Sequence, residues 1–237
     1  MLLEGKRAVV TGAAGALGCA VLRAFLDHGA KVVAVGHNER ALGEIARTAG
    51  EDADRCLAVR ADLTILEDVE RLKGEALEFL GGVDALANIV GGFASGPKLW
   101  ETEPDEWRRM MDLNLTTAFL SCRAFIPAML EAGYGRVVNI ASRGAFTVKP
   151  GTGSYAVSKA AVAKFTEVLR EELRGTGVTA VAIAPSTIDT PANREDMPKS
   201  DPSKWVTPEA LAEAVVWLCS EHGGIFSGGI LPAYGDL

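Results

Sequence analysis

Short apolar runs alternate along the whole chain with longer stretches of helical period. Lys6–Val10 is the first run, bounded by Gly12. Lys31–Val35, Arg55–Ala61, Val83–Ile89, Arg136–Ile140 and Val178–Ile183 follow, and a short last one lies at Gly229–Pro232. Their apolar residues are consecutive rather than alternate, so both faces of each strand must be covered. Between them, apolar spacing predicts helices over Gly15–Gly29, Asn38–Ala49, Thr64–Phe79, Asp105–Ala132, Tyr155–Arg174 and Thr207–Ser220. In the first of these, Leu17, Val21, Leu22, Phe25 and Leu26 share one side. Strict strand–helix alternation predicts a parallel sheet with right-handed crossovers. The expected fold is therefore α/β, a single-domain, Rossmann-like, doubly wound sheet of about seven strands with helices on both faces. No linker, charge block or internal repeat divides the chain, so residues 1–237 are expected to form one domain.

Composition narrows the function more than the fold. With 237 residues, 48% hydrophobic and 23% charged, the chain suits one large domain with a sizeable core. A net charge of −7 with no basic run argues against nucleic acid and anionic membranes as partners. No stretch reads as the ~20 apolar residues that span a bilayer. The N-terminus enters a strand without a signal-peptide layout, so the expected location is cytoplasmic. Cys19, Cys56, Cys122 and Cys219 are scattered and read as small core residues in a reducing compartment. His28, His37 and His222 form no ligand pattern, and no metal is expected.

In a doubly wound sheet, ligands bind beyond the carboxyl ends of the strands. After the first strand comes Thr11-Gly-Ala-Ala-Gly-Ala-Leu-Gly18. Its glycines allow a tight turn that brings backbone N–H groups to a pyrophosphate, and the helix N-terminus adds a favourable dipole. Their spacing differs from the G-x-G-x-x-G fingerprint. After the second strand, Gly36-His37-Asn38 offers no acid for the adenosine ribose hydroxyls. With Arg40 nearby, this favours NADP(H) over NAD(H), although Asn38 could simply cap the next helix. Asp62, before Leu63, is placed either to accept from an adenine amino group or to lie in the N-cap region of the next helix. Asn114 is unfavourable inside a helix, which predicts a specific hydrogen bond or a helix irregularity. The fifth strand leads through Ser142 and a Gly/Pro-rich loop to Tyr155 and Lys159, one helical turn apart on one face. An ammonium beside a phenol lowers its pKa from about 10, making it a proton donor near neutral pH. The structural alternative is a half-buried Tyr155, Ser154 as a helix cap and a solvated Lys159.

Taken in order, several motifs carry a resemblance: T-G-A-A-G-A-L-G at Thr11–Gly18, N-I-V-G at Asn88–Gly91, Asn114 in D-L-N-L, Ser142 in N-I-A-S, Y-A-V-S-K at Tyr155–Lys159 and P-S-T-I-D-T at Pro185–Thr190. Over essentially its whole length the chain resembles the classical short-chain dehydrogenase/reductases. The resemblance implies hydride transfer between a nicotinamide and a carbonyl or alcohol carbon, broadly of the 3-oxoacyl-carrier-protein reductase kind. It implies a catalytic set of Asn114, Ser142, Tyr155 and Lys159. Tyr155 would exchange the proton, Ser142 would bind the substrate oxygen, Lys159 would lower the Tyr155 pKa and hold the ribose, and Asn114 would hold a relay water. Cofactor contacts are implied at Thr11, Gly12, Gly15, Ala16, Leu17, Gly18, Gly36, His37, Asn38, Asp62, Leu63, Asn88, Val90, Gly91, Tyr155, Lys159, Pro185, Ser186, Ile188 and Thr190. A small-molecule substrate would meet Phe93, Arg143, Phe146, Met197 and Trp205, with the Pro-punctuated 185–206 segment as a lid. Trp205 has a competing reading as a packing anchor. Arg143 would meet an anionic substrate or a carboxylate of a neighbouring subunit. The family implies a dimer or tetramer through the two long helices.

The chain departs from the family pattern at Ala16, at Ile89 and Val90, and at Ser186, which stands where a glycine is usual and adds a hydroxyl beside the expected nicotinamide. The stretch Ile188–Trp205 separately resembles dihydropteridine reductases, an alternative substrate class. A catalytically silent dinucleotide sensor on the same fold is the alternative outside enzymes.

Overall fold

The computed structural model describes residues 1–236. Seven strands form one parallel sheet: β1 Arg7–Thr11, β2 Lys31–Gly36, β3 Cys56–Arg60, β4 Ala85–Asn88, β5 Gly135–Ile140, β6 Val178–Pro185 and β7 Ile230–Ala233. Their order is β3-β2-β1-β4-β5-β6-β7, and every pairing is parallel. The winding reverses between β1 and β4, which opens a crevice at their carboxyl ends.

Among the described residues, eight α-helices accompany the strands: α1 Ala16–Asp27, α2 Glu39–Ala49, α3 Leu66–Leu80, α4 Pro104–Met111, α5 Thr117–Ala132, α6 Gly153–Glu172, α7 Pro191–Asp196 and α8 Pro208–Cys219. Because side chains alternate along a strand, each strand feeds two cores. Ala8, Val10, Val32, Ala34, Val138 and Val181 face Leu22, Phe25, Leu211 and Val215 of α1 and α8. Val9, Val33, Leu86 and Val137 face Leu72, Leu120, Phe125, Met129 and Leu169 of α3, α5 and α6. This double cover is why the strands are apolar throughout.

Three expectations change. The fourth strand, Ala85–Asn88, is shorter than Val83–Ile89: just before it Asp84 still bonds Arg7 O and Arg136 N–H through its backbone while its carboxylate clamps Arg7, and just after it the Ile89 N–H turns to Thr11 Oγ1 at 3.1 Å. The helix over 105–132 is interrupted: Asp112–Thr116 forms a π-helical turn between α4 and α5, with Asn114 inside it. That same continuous run, Pro104–Ala132, is long and apolar enough to cross a membrane, contrary to the reading above. Half of its most apolar window is buried in the domain, where Leu120, Phe125 and Met129 fill the core as a covering helix of the sheet does.

The bottom of the sheet is fastened by Asp84. Its carboxylate accepts from the Arg7 backbone N–H at 2.9 Å and from the guanidinium twice at 2.8 Å. Burial alone would push this carboxyl up, but the Arg7 hydrogen bonds outweigh it and hold it below its ordinary value. The thiols are free; burial raises Cys56 to about 11 and Cys122 and Cys219 to about 12.

Candidate active site

The glycine turn beyond β1 divides its labour. Gly12 has φ +64°, and a Cβ there would lie 3.0 Å from the Val90 nitrogen across the β1/β4 crevice. A Cβ on Gly18 would lie 2.0 Å from the Gly12 carbonyl oxygen, so Gly18 lets α1 seat on the turn. Gly15 is the N-cap of α1, and no side chain caps that end. The first N–H groups of α1 are therefore directed outward beside a cradle that only glycine leaves open, which fits a dinucleotide pyrophosphate. Thr11 Oγ1 accepts from Ile89 and Val90 N–H at 3.1 and 3.4 Å, tying the two loops that flank this cradle.

Other sequence-derived cofactor positions take mixed places. Gly36 is required by packing, since a Cβ would meet the Ala41 Cβ at 2.8 Å. Asn38 is the N-cap of α2, accepting from Ala41 N–H at 2.9 Å, while His37 is exposed beside it. Asp62 does not cap α3, whose N-cap is Ile65; its carboxylate accepts from the Thr64 N–H and hydroxyl at 2.9 and 2.6 Å. Leu63 is buried in the core. The Asn88 side chain turns into the sheet, donating to Asn139 Oδ1 at 2.8 Å. Ala16 and Leu17 begin α1, with the Leu17 side chain in the core.

Beyond β5, Ser142 is buried and accepts from Gly144 N–H at 3.0 Å, which starts a short turn. That turn brings Gly144 against Tyr155, where a Cβ would stand 3.1 Å from the ring. Phe93 closes the other side of Tyr155, edge to face at 4.9 Å. Helix α6 starts at Gly153 with Thr152 as N-cap, so Ser154 is not the cap but a buried helical residue.

Lys159 is buried, 5% exposed, and donates to the Ile140 carbonyl at 2.8 Å. Burial pushes its ammonium down to about 8. The lowering of Tyr155 expected from the Tyr/Lys pair is reversed: burial raises its hydroxyl, and Ser142 only partly offsets this. The spacing does set the two residues on one helix face, but the ammonium turns to the strand rather than to the phenol.

Asn114 sits in the π turn because its amide bridges a loop. Its Oδ1 accepts from Gly92 N–H at 2.9 Å, and its Nδ2 donates to the Gly92 carbonyl at 3.1 Å and to Ser158 Oγ at 3.0 Å. Ser158 in turn donates to the Tyr155 carbonyl at 2.8 Å. A Cβ on Gly91 would lie 2.8 Å from Lys159 Nζ and 2.9 Å from Asn114 Oδ1, so both groups converge over that glycine. Ser158 was visible inside Y-A-V-S-K, yet sequence reasoning gave it no role.

On the far side, Pro185 ends β6. The Ser186 hydroxyl donates to the Tyr234 carbonyl at 2.8 Å. Tyr234 is a wall residue that nothing in the sequence singled out, and the Arg143 guanidinium lies over its ring at 5.1 Å. Ile188 accepts from Asn193 Nδ2 at 2.8 Å, and Thr190 caps α7 through Asn193 N–H at 3.2 Å. Phe93 and Phe146 are exposed, Met197 ends α7, and Trp205 is 7% exposed, packed inside as an anchor. Among the described residues no group of His, Cys, Asp or Glu could hold a metal.

A doubly wound sheet with an anion cradle at its switch point and a Tyr/Lys/Ser/Asn cluster beside it defines a class, the Rossmann-type oxidoreductases. The chain belongs to the short-chain dehydrogenase family: residues 6–201 match its short chain dehydrogenase profile. It is 35% identical over 220 residues to an uncharacterized oxidoreductase of Staphylococcus aureus (strain N315), spanning 93% of both chains. A Staphylococcus saprophyticus uncharacterized oxidoreductase is 32% identical over 216 residues, 91% of each. Among solved structures, gox2181 superposes with TM-score 0.92 at 27% identity, covering 98% of this chain and 95% of that one. The 3-ketoacyl-(acyl-carrier-protein) reductase from Brucella melitensis, complexed with NADH, superposes with TM-score 0.88 at 30% identity, covering 99% and 100%.

Proposed function

We propose that the protein is an NAD(P)(H)-dependent carbonyl reductase or alcohol dehydrogenase, 3-oxoacyl-carrier-protein-reductase-like in its chemistry, with residues 1–237 acting as one dinucleotide-binding unit. The observation that carries this reading is the convergence of Lys159 Nζ and Asn114 Oδ1 over Gly91, with Tyr155 on the same helix as Lys159 and the turn that follows Ser142 packed on its ring. Bound nicotinamide would supply or accept the hydride. Tyr155 is the proton donor to the substrate oxygen in reduction; burial keeps it protonated, the state a donor needs. The Ser142 hydroxyl binds that oxygen as negative charge develops. Lys159, cationic below about pH 8, and Asn114 line the path by which the proton is replaced. The turn Gly12–Gly18 holds the pyrophosphate, and Val90, Gly91, Pro185, Ile188 and Thr190 border the nicotinamide half.

The decisive experiment replaces Tyr155 by Phe. Turnover on a panel of ketones and 3-oxoacyl thioesters is expected to fall by about a thousandfold or more, with dinucleotide affinity kept. Retention of most activity would falsify the assignment. Tight dinucleotide binding without turnover by the native protein would instead favour a silent sensor.

NADP(H) is the preferred cofactor in this reading, since Gly36, His37 and Asn38 carry no carboxylate and Arg40 has no acidic partner among the described residues. The Brucella enzyme's NADH points the other way. A lower KM for NADH than for NADPH would reverse the preference. The pteridine alternative gains no support, because Asp189 pairs with Arg194 and Asp201 with Ser203 within the segment that suggested it. Free thiols suit a reducing cytoplasm. A dimer or tetramer through α5 and α6 is supported by exposed Phe119, packed on Phe165 at 6.3 Å; sedimentation as a monomer would refute it.

A further inference from the structure

Resting on the reductase reading, we propose that Arg143 and Tyr234 form a carboxylate-recognition site, and that the substrate is an oxo acid or the matching hydroxy acid. Every arginine among the described residues has a carboxylate within 4.0 Å except Arg40, Arg136 and Arg143. Arg136 spends its guanidinium on the carbonyls of Gly135, Gly177 and Ser220. Arg40 is exposed at the start of α2. Arg136 also lies over a ring, that of Tyr134 at 4.4 Å, but its N–H groups are taken by those carbonyls. Arg143 is partly buried, follows Ser142 directly, and lies over the Tyr234 ring with its N–H groups donating to no other described residue.

A guanidinium that spends its face on a ring keeps its in-plane N–H fork for a planar anion, and a carboxylate matches that fork in a bidentate way. No other described residue accepts from this fork, so it is open to an anionic group. The ring beneath is held firmly. Ser186 donates its hydroxyl to the Tyr234 carbonyl at 2.8 Å and its N–H to Ala233 O at 2.9 Å. The next residue, Gly235, turns with φ +60° where a Cβ would stand 2.8 Å from the Lys204 carbonyl. Arg143 thus reaches from the end of β5, across β6, to a fixed platform at the end of β7. Ser142 and Arg143 both stand beyond the carboxyl end of β5, so an oxo acid would present its carbonyl to one and its carboxylate to the other; 2-oxo and 3-oxo acids are the shortest of these. The exposed rings of Phe93 and Phe146 offer an apolar wall to its remaining substituent.

The test compares 2-oxo and 3-oxo acids with their ethyl esters, using both nicotinamide cofactors. The native protein is expected to favour acid over ester by about 50-fold or more in kcat/KM. Arg143→Ala should erase that preference by raising KM for the acids far more than for the esters. Arg143→Lys should restore only part of it, and Tyr234→Leu should weaken it while leaving the guanidinium in place. Arg143→Met guards against a variant that fails to fold, with thermal melts of each. Independently of turnover, an oxo acid, but not its ester, should slow phenylglyoxal labelling of Arg143 read by mass spectrometry. Equal native rates on acid and ester, or equal losses on both in Arg143→Ala, overturn the carboxylate site and leave the reductase reading standing. Turnover of neither class, with Arg143 unprotected, overturns the carboxylate site; turnover of no ketone or 3-oxoacyl thioester either would overturn the reductase reading with it.

Discussion

Lys159 shows stability set against use. The folded protein holds an ammonium in a buried site, and its pKa falls from 10.5 to about 8. At neutral pH that burial costs about 3 kcal/mol. The unfolded chain binds the extra proton between pH 8 and 10.5, so stability should rise over that window as the folded lysine is already neutral. Lys159→Met is therefore expected to melt higher than the native protein at pH 7, by a margin that narrows as pH approaches 10.5, while losing turnover. Melting curves across that range would check both signs; a margin that grows with pH would refute the account. In the native protein, reduction should slow as pH rises through about 8. Sequence spacing showed that Tyr155 and Lys159 share a face. It could not show that Ile140, on another strand, offers the carbonyl that takes the ammonium, because that partner comes from backbone geometry rather than a side chain. Tyr234 was illegible for a similar reason: its place beside Arg143 depends on how β7 docks on β6.

At the level of elements, the π turn and the loop after β4 act as one unit. Asn114 holds Gly92 by two hydrogen bonds, and Gly91 leaves the gap over which Asn114 and Lys159 meet. Gly91→Ala places a methyl less than 3.0 Å from both polar atoms. Lys159 Nζ ends a long side chain, but it is buried and hydrogen-bonded, so one or both groups must shift. The expected outcome is a loss of about 10- to 100-fold in kcat with a stability change of only about 1–2 kcal/mol; steady-state kinetics beside thermal melts would show it. Unchanged kcat would mean that the convergence is incidental. The strands were legible because both their faces are buried, and the glycine turn because it follows such a strand. The interruption at Asp112–Thr116 was not placed, since one extra residue barely disturbs apolar spacing. Asn114 was the one signal that marked it.

For the molecule as a whole, the carboxyl edge of the sheet carries chemistry and the amino edge carries fastening. Asp84 binds Arg7 there and joins β1 to β4, the pair at which the winding reverses. Because its folded pKa lies below 3.8, its contribution is complete above that value and is lost as pH falls through the lower, folded value. Asp84→Asn is expected to cost about 1–3 kcal/mol at pH 7, with the gap to the native protein closing in acid. Urea titrations at pH 7 and pH 3 would measure it, and an equal gap at both would rule out the ion pair as the cause.

The free cysteines have a practical consequence. Burial keeps the thiols of Cys56, Cys122 and Cys219 protonated at neutral pH, and only the thiolate attacks electrophiles. Cys19 and Cys56 are both partly exposed, but Cys56 is held as the thiol; Cys19 lies one turn into α1, with its N–H on the Gly15 carbonyl at 2.8 Å. A maleimide fluorophore should therefore attach to the native fold there first, and to the other three sites only after denaturation, as peptide mapping would reveal. Such a dye would stand beside the glycine turn, making the wild-type chain its own optical probe of dinucleotide arrival.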